Sequence, residues 1–273
     1  MIMMLDPIVE LARKRVDEAK KKVPLGELIS WIYCNGEAKN FNKRGKFAFE
    51  QALKNEGISF ICEVKKASPS RGLISPDFPY RDIAKEYEDA GARAISVLTE
   101  PGYFMGSSLH LEEISGIVSI PVLRKDFIID EYQIYESKIL GADALLLICR
   151  LLSPAALRKF ISACDELGLS ALVETHTKEE IDMAVEAGAR VIGVNNRDLD
   201  TFEVDINNCI KLRNHVPQDI IYVAESGIHR PDHISMLENA GVDAVLIGEA
   251  LMGSPDKKAT LSYLRGGKAT VKE

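Results

Sequence analysis

The chain has 273 residues, 46% hydrophobic and 27% charged, enough for one large core or two small ones. A formal net charge of −7 argues against a general nucleic-acid binder, which needs a basic face, but leaves room for a small anion held by local positive charge in a cleft. No apolar run approaches the roughly 20 residues that span a bilayer, and Cys34, Cys62, Cys149, Cys164 and Cys209 fall outside any CxxC spacing, so free thiols in a cytoplasmic protein are expected.

The N-terminal stretch becomes charged almost at once, unlike a secretory signal. It sets Ile8, Leu11, Ala12 and Val16 at i, i+3, i+4 and i+8, which predicts an amphipathic helix over Pro7–Lys22. A polar loop around Asn35–Arg44 and a second helix over Lys46–Asn55 follow. From about residue 58 short apolar runs alternate with amphipathic stretches. The predicted strands are Ile58–Cys62, Ala94–Leu98, Val122–Arg124, Ala144–Ile148, Ala171–Val173, Val191–Val194, Ile220–Ala224 and Ala244–Ile247. Their continuous Val, Ile and Leu content is that of strands buried on both faces. Helices are predicted between them, among others over Arg81–Ala90, Pro154–Leu167 and Lys178–Ala187. Several end at a glycine suited to a C-cap: Gly91, Gly141, Gly168, Gly188 and Gly241. The phrases AGARAISVL, LGADALLLI, AGARVIGVN and AGVDAVLIG each close a helix and open the next strand.

Eight such units in roughly 200 residues predict an α/β chain folded as a closed (β/α)8 TIM barrel. The alternative, a doubly wound open sheet, would have about six strands and usually a Gly-rich turn after the first, which is missing. No Gly/Ser-rich or Pro-rich linker divides the chain. One domain over residues 1–273 is therefore expected, with 1–57 as a helical extension and 58–265 as the barrel. The extension has an apolar stripe that must pack on something, either the closed end of the barrel or its open mouth.

Active sites of such barrels sit at the carboxyl ends of the strands, where charged and polar residues recur in this chain. Glu63 and Lys65 follow the first run two residues apart and so share a face. Glu100 follows the second, Lys125 and Asp126 the third, Glu174 the fifth, Asn195, Asn196 and Arg197 the sixth, and Glu225 and Ser226 the seventh. Any one of these could simply meet solvent. Taken together, Glu63, Lys65, Lys125, Glu174, Asn195 and Glu225 point at one mouth from five strands. Two ammonium groups among three carboxylates keep one another ionised, each contact contributing up to about 4 kcal/mol at 4 Å for an effective dielectric near 20, before desolvation. Crowding of like charges also separates pKa values, so one site can hold both an acid and a base near neutral pH.

Gly227 and Gly248 lie just beyond the last two strands, in AESGI (224–228) and LIGEAL (246–251). Backbone N–H groups there, with the first turn of a short helix near Glu249–Leu251, could cradle a phosphate. His229 and His233 flank Pro231 and read as a surface helix start, while His176 lies at the rim beside Glu174. There is no HExxH, no carboxylate–histidine array of metal spacing, no P-loop and no GxSxG, so no metal is expected.

The stretches CEVKKASPSRG (62–72), LTEPGYFMGS (98–107), VLRKDFIID (122–130), VETHT (173–177), VNNRDL (194–199), AESGI (224–228) and LIGEALM (246–252) resemble the successive strand-end motifs of indole-3-glycerol-phosphate synthases. The resemblance runs in order from about residue 58 to 253 and extends more loosely into the N-terminal helical segment. The chain stops soon after the eighth strand, so no fused second barrel is expected. Gly253 departs from the arginine found in many relatives. The resemblance implies conversion of 1-(2-carboxyphenylamino)-1-deoxyribulose 5-phosphate to indole-3-glycerol phosphate, carbon dioxide and water in tryptophan biosynthesis, without metal or organic cofactor. It implies Lys125 as the acid of ring closure, Lys65 as a second ammonium near the substrate carboxylate, and Glu174 as the later acid/base. Glu63, Asn195 and Glu225 would position these groups. Ser68 and Arg197 would hold the carboxylate side, Phe104 would border the aromatic ring, and Ser226, Gly227, Gly248 and Glu249 would form the phosphate site. Asp126 would brace the mouth, and the N-terminal segment would fold over it. The partner implied is an anionic small molecule, with no nucleic acid, membrane or obligate protein partner. Another phosphate-binding barrel, such as phosphoribosylanthranilate isomerase, would explain the last two turns but leave Glu63, Lys65 and Lys125 idle. A non-catalytic sugar-phosphate-binding barrel would predict a gap in the acid/base set, and none is seen.

Overall fold

The computed structural model describes residues 5–39, 43–198 and 201–267. In it, parallel strands β1 (Ser59–Val64), β2 (Ala94–Leu98), β3 (Val122–Lys125), β4 (Ala144–Ile148), β5 (Ser170–Thr175), β6 (Val191–Asn195), β7 (Ile221–Glu225) and β8 (Ala244–Ile247) pair in chain order, and β8 closes onto β1. Helices α1 (Leu5–Lys22), α2 (Leu25–Lys39) and α3 (Ala48–Leu53) precede the barrel. Between successive strands stand α4 (Tyr80–Asp89), α5 (Ser108–Ile117), α6 (Glu131–Ile139), α7 (Pro154–Glu166), α8 (Lys178–Glu186), α9 (Asn207–Leu212) and α10 (Pro231–Asn239), with α11 (Glu249–Met252) and α12 (Lys257–Leu264) after β8. None of the described helices is long and apolar enough to cross a membrane.

The period of two along each strand explains the unbroken apolar runs. Ile61, Leu123, Leu146, Leu172, Val223 and Leu246 pack together inside the barrel. On the other strand faces Cys62, Val97, Leu145, Val173, Val194 and Tyr222 pack in a second core beneath the helices. The glycines close helices as expected: at Gly141, φ is 83° and an added Cβ would lie 2.6 Å from Ser115 Oγ.

Several strands run further toward their carboxyl ends than the apolar runs predict. β1 extends past Cys62 to Val64, β3 to Lys125, β5 to Thr175, β6 to Asn195 and β7 to Glu225. The backbone ladder ignores side-chain polarity, and register pairs join Ile148 to Glu174 and Asn195 to Glu225. The polar residues at these ends are thus carried by strand, a more rigid support than loop.

The N-terminal segment differs most from expectation. A helix, α2, occupies much of the span before the predicted polar loop and runs through Asn35 and Gly36, a turn-like pair in sequence. Its Leu28 and Ile32 are buried in the outer core, and it lies against α6. Tertiary burial has overridden the local turn signal. Residues 40–42 of the predicted loop lie outside the described residues.

Both placements left open for the extension are realised, by different parts of it. α1 lies at the mouth: Ile8 and Ala12 pack with the barrel interior and Phe127, and Arg15 pairs with Asp126 at 2.7 Å. α3 seals the opposite end. Phe49 and Leu53 are fully buried, Phe47 N donates to Gly168 O, and Arg190 binds Glu50 through two nitrogens, each at 3.0 Å. Arg44 fastens the same end, reaching Asp143 at 2.9 Å.

Candidate active site

At the mouth the inward-facing position of β1, β3, β5, β6 and β7 passes from aliphatic to polar: Glu63, Lys125, Glu174, Asn195 and Glu225. A single cavity is lined by all thirteen residues singled out in the sequence, namely these five with Lys65, Ser68, Phe104, Arg197, Ser226, Gly227, Gly248 and Glu249. Leu146, Ile148 and Leu246 supply an aliphatic floor, and Phe127 faces Phe104 with ring centroids 6.2 Å apart. Ile8 of α1 also lines the cavity. Sequence reasoning missed Ile8, Phe127 and Phe202 as lining residues, although the resemblance implied that the N-terminal segment folds over the mouth.

Lys125 sits between two carboxylates. Its Nζ is 3.2 Å from Glu225 Oε2 and 3.4 Å from Glu174 Oε2. Burial draws this ammonium's pKa down, but Glu225, Glu174 and Glu63 outweigh it and hold the group protonated above its ordinary range. Lys65 Nζ meets Glu63 Oε2 at 2.7 Å. Burial pushes Glu63 up, yet Lys65 and Lys125 prevail and its carboxyl falls below the usual range. Glu225 goes the other way: burial and the neighbouring Glu174 exceed the pull of Lys125, and its pKa is pushed up to about 7. Neither of its oxygens has an aligned hydrogen bond, although Lys125 lies within ion-pair reach.

Two glycines make room for these carboxylates. A Cβ on Gly193 would collide with Glu225 Oε1, and one on Gly248 with Glu63 Oε2 and, at 3.0 Å, with Lys65 Nζ. Gly248 therefore serves the acid/base cluster as well as the turn after β8. On the other side of the cavity Ser226 and Gly227 both have positive φ, 67° and 80°. A serine held there is a strained backbone, as found at ligand-binding turns. Arg197 reaches Glu249 Oε1 at 2.9 Å, and Arg71 reaches Glu249 Oε2 at 3.4 Å.

The surrounding charges are structural. Glu100 accepts from the N–H groups of Gly102, Tyr103 and Phe104 at 2.7, 2.7 and 3.0 Å, fixing the loop that presents Phe104. Asp126 is fully buried and is held by Arg15, Arg124 and Thr99 at 2.7, 3.1 and 2.6 Å. It lies beside Lys125 and borders the cavity. His176 does not line the cavity, and His229 lies exposed at its rim. Among the described residues no group of His, Cys, Asp and Glu is arranged to hold a metal ion.

Two ammonium groups among three carboxylates, over an aliphatic and aromatic floor and beside a strained turn, make this an enzyme of the (β/α)8-barrel class suited to an anionic aromatic substrate. The model of the indole-3-glycerol phosphate synthase family matches residues 5–264. The enzyme of that name from Ruminiclostridium cellulolyticum is 54% identical over 264 residues, covering 97% of this chain and 99% of the relative. That of Endomicrobium trichonymphae is 56% identical over 263 residues, covering 96% and 100%. The chain belongs to the indole-3-glycerol phosphate synthase family. Among solved structures it is similar in fold to the 3-hexulose-6-phosphate synthase of Salmonella typhimurium, with TM-score 0.63 and 14% identity over 77% of this chain and 97% of that one. It is likewise similar to the thiamine phosphate pyrophosphorylase of Pyrococcus furiosus, with TM-score 0.59 and 17% identity over 78% and 96%.

Proposed function

We propose that this chain converts 1-(2-carboxyphenylamino)-1-deoxyribulose 5-phosphate to indole-3-glycerol phosphate, carbon dioxide and water, as a carboxy-lyase of tryptophan biosynthesis. The observation that carries the reading is the half-buried Lys125 ammonium, held between Glu174 and Glu225 above an apolar floor.

The ring carbon bearing the carboxylate attacks the ketone carbon of the ribulose. The carbonyl electron pair moves to oxygen, which takes a proton from Lys125 Nζ as the new C–C bond forms. The bond to the carboxylate then breaks, carbon dioxide leaves, and its electron pair restores the aromatic ring. Lys65 donates a proton to the departing hydroxyl, while Glu174 removes a proton from the carbon beside nitrogen, giving water and the indole double bond. Glu63, Asn195 and Glu225 position these groups. Asn195 Nδ2 donates to Glu174 Oε1 at 3.4 Å, which supports that role. Phe104 borders the aromatic ring. Ser68 and Arg197 face the substrate carboxylate, and the backbone of Ser226, Gly227, Gly248 and Glu249 receives the phosphate. Lys125 and Lys65 supply the positive charge each step needs, so the scheme calls on no metal or organic cofactor.

The extension and barrel act as one domain on this reading, since α1 helps enclose the substrate and α3 closes the far end. The free thiols, four of them buried, fit a cytoplasmic setting. Adding the carboxyphenylamino-deoxyribulose phosphate and following indole fluorescence tests the proposal. Steady growth of the signal is expected, and a flat trace with folded protein refutes it.

A further inference from the structure

Glu174 faces two compartments. Its Oε2 points to Lys125 in the substrate cavity, while its Oε1 is 3.4 Å from Asn195 Nδ2 and 3.7 Å from His176 Nε2. His176 is absent from the lining of the substrate cavity and borders a separate cleft, also lined by Glu180, Asn195, Glu203, Asp205 and Asn208. Its side chain is only 13% exposed, and neither ring nitrogen makes an aligned hydrogen bond. Nδ1 instead faces Glu180 Oε2 at 3.5 Å, so the ring stands between two carboxylates. The backbone locks it in place. His176 N donates to Glu180 Oε2 at 2.6 Å, and Asn208 Nδ2 donates to His176 O at 3.3 Å.

We propose that His176 is a positioning residue for the reaction: backed by Glu180, its ring clamps Oε1 of Glu174 and leaves Oε2 as the oxygen that exchanges protons with the substrate. This rests on the acid/base assignment of Glu174 given above. The charges around the ring favour its protonated form. Burial draws the imidazole down, but Glu180, Glu174 and the more distant Glu225 outweigh it and raise it above its ordinary range. Across the cleft, Glu203 and Asp205 add negative charge from the segment after β6, and Asp198 and Arg150 also border the space. A protonated ring holds Oε1 by charge as well as by position and keeps the Glu174 carboxylate in one orientation. Because the ring lies outside the substrate cavity, its loss should act on turnover and leave binding alone.

Steady-state kinetics of His176→Gln and Glu180→Gln across pH test this. In the wild type kcat should fall as pH rises through the raised titration of His176, a limb that His176→Gln lacks. For His176→Gln, kcat near neutrality should fall about tenfold with KM within twofold. Glu180→Gln removes a carboxylate that raises His176 and should move that limb to lower pH, and it carries the test should His176→Gln fail to fold. A limb unchanged in both variants, or a uniform loss across pH, overturns the proposal and makes His176 a space-filling residue. Glu174→Gln separates the two readings. If it still turns over, the acid/base assignment fails; if it is inactive while folded His176→Gln behaves as wild type, only the clamp fails.

Discussion

Arg15 on the first helix binds Asp126, the residue after Lys125, at 2.7 Å, and thereby ties the N-terminal segment to the strand end that carries the proposed ring-closing acid. Asp126 is fully buried while Arg15 remains about a third exposed, with 30% of its side chain accessible. Ile8 and Ala12 on the same helix are buried against the mouth. Removing residues 1–23 should therefore leave a folded barrel with raised KM and lowered kcat, because water then enters among Lys65, Lys125 and the carboxylates. Circular dichroism and steady-state kinetics check this, and unchanged constants would contradict it. Cutting at residue 45 is a poorer experiment, since it also removes Arg44, the partner of Asp143 at the opposite end.

Lys125→Ala should lower kcat by the roughly 10²–10⁴ expected for loss of a general acid, with KM largely kept. It also leaves Glu174 and Glu225 without their shared cation. The variant should thus melt earlier, by no more than the roughly 3–5 kcal/mol of a broken buried pair, because Glu225 can take up a proton. Turnover within threefold of wild type would remove Lys125 from the mechanism.

Glu225 makes a pH prediction for stability. Its folded pKa, about 7, lies above the ordinary 4.5, so between these values the folded chain binds more protons than the unfolded one. Its contribution to stability is fully present below the lower value and is lost as pH rises through the upper. Glu225→Gln has no such titration. Urea midpoints from pH 5 to 8 should show the Gln variant gaining on wild type as pH rises. A constant difference would mean that Glu225 is ionised throughout.

Gly248→Ala and Gly193→Ala should each damage catalysis through a different carboxylate. The first drives a methyl into Glu63 and Lys65, the second into Glu225. Overpacking of this kind costs about 1–3 kcal/mol, and the displaced carboxylate no longer holds its lysine. kcat should drop at least tenfold in both, and thermal melts should show a moderately weakened fold. Wild-type kcat in Gly193→Ala would show that Glu225 can move without consequence.

The eight strands, their order and the mouth residues were legible in the chain because a parallel strand buried on both faces must be apolar until it leaves the core. Glu63, Lys125, Glu174, Asn195 and Glu225 each interrupt such a run at the position that faces inward. What a periodic pattern cannot express is which distant segments meet. The helix through Asn35 and Gly36 forms because Leu28 and Ile32 find a buried surface, which no local turn signal reports. Division of the extension between the mouth and the far end depends on Arg15 meeting Asp126 and Arg44 meeting Asp143, pairs 111 and 99 residues apart. Gly248 reads in sequence as a turn for a ligand, yet its missing Cβ is also the space filled by the Glu63 carboxylate from the neighbouring strand. Periodicity follows from each strand's own two faces, whereas long-range contacts exist only once the barrel has closed.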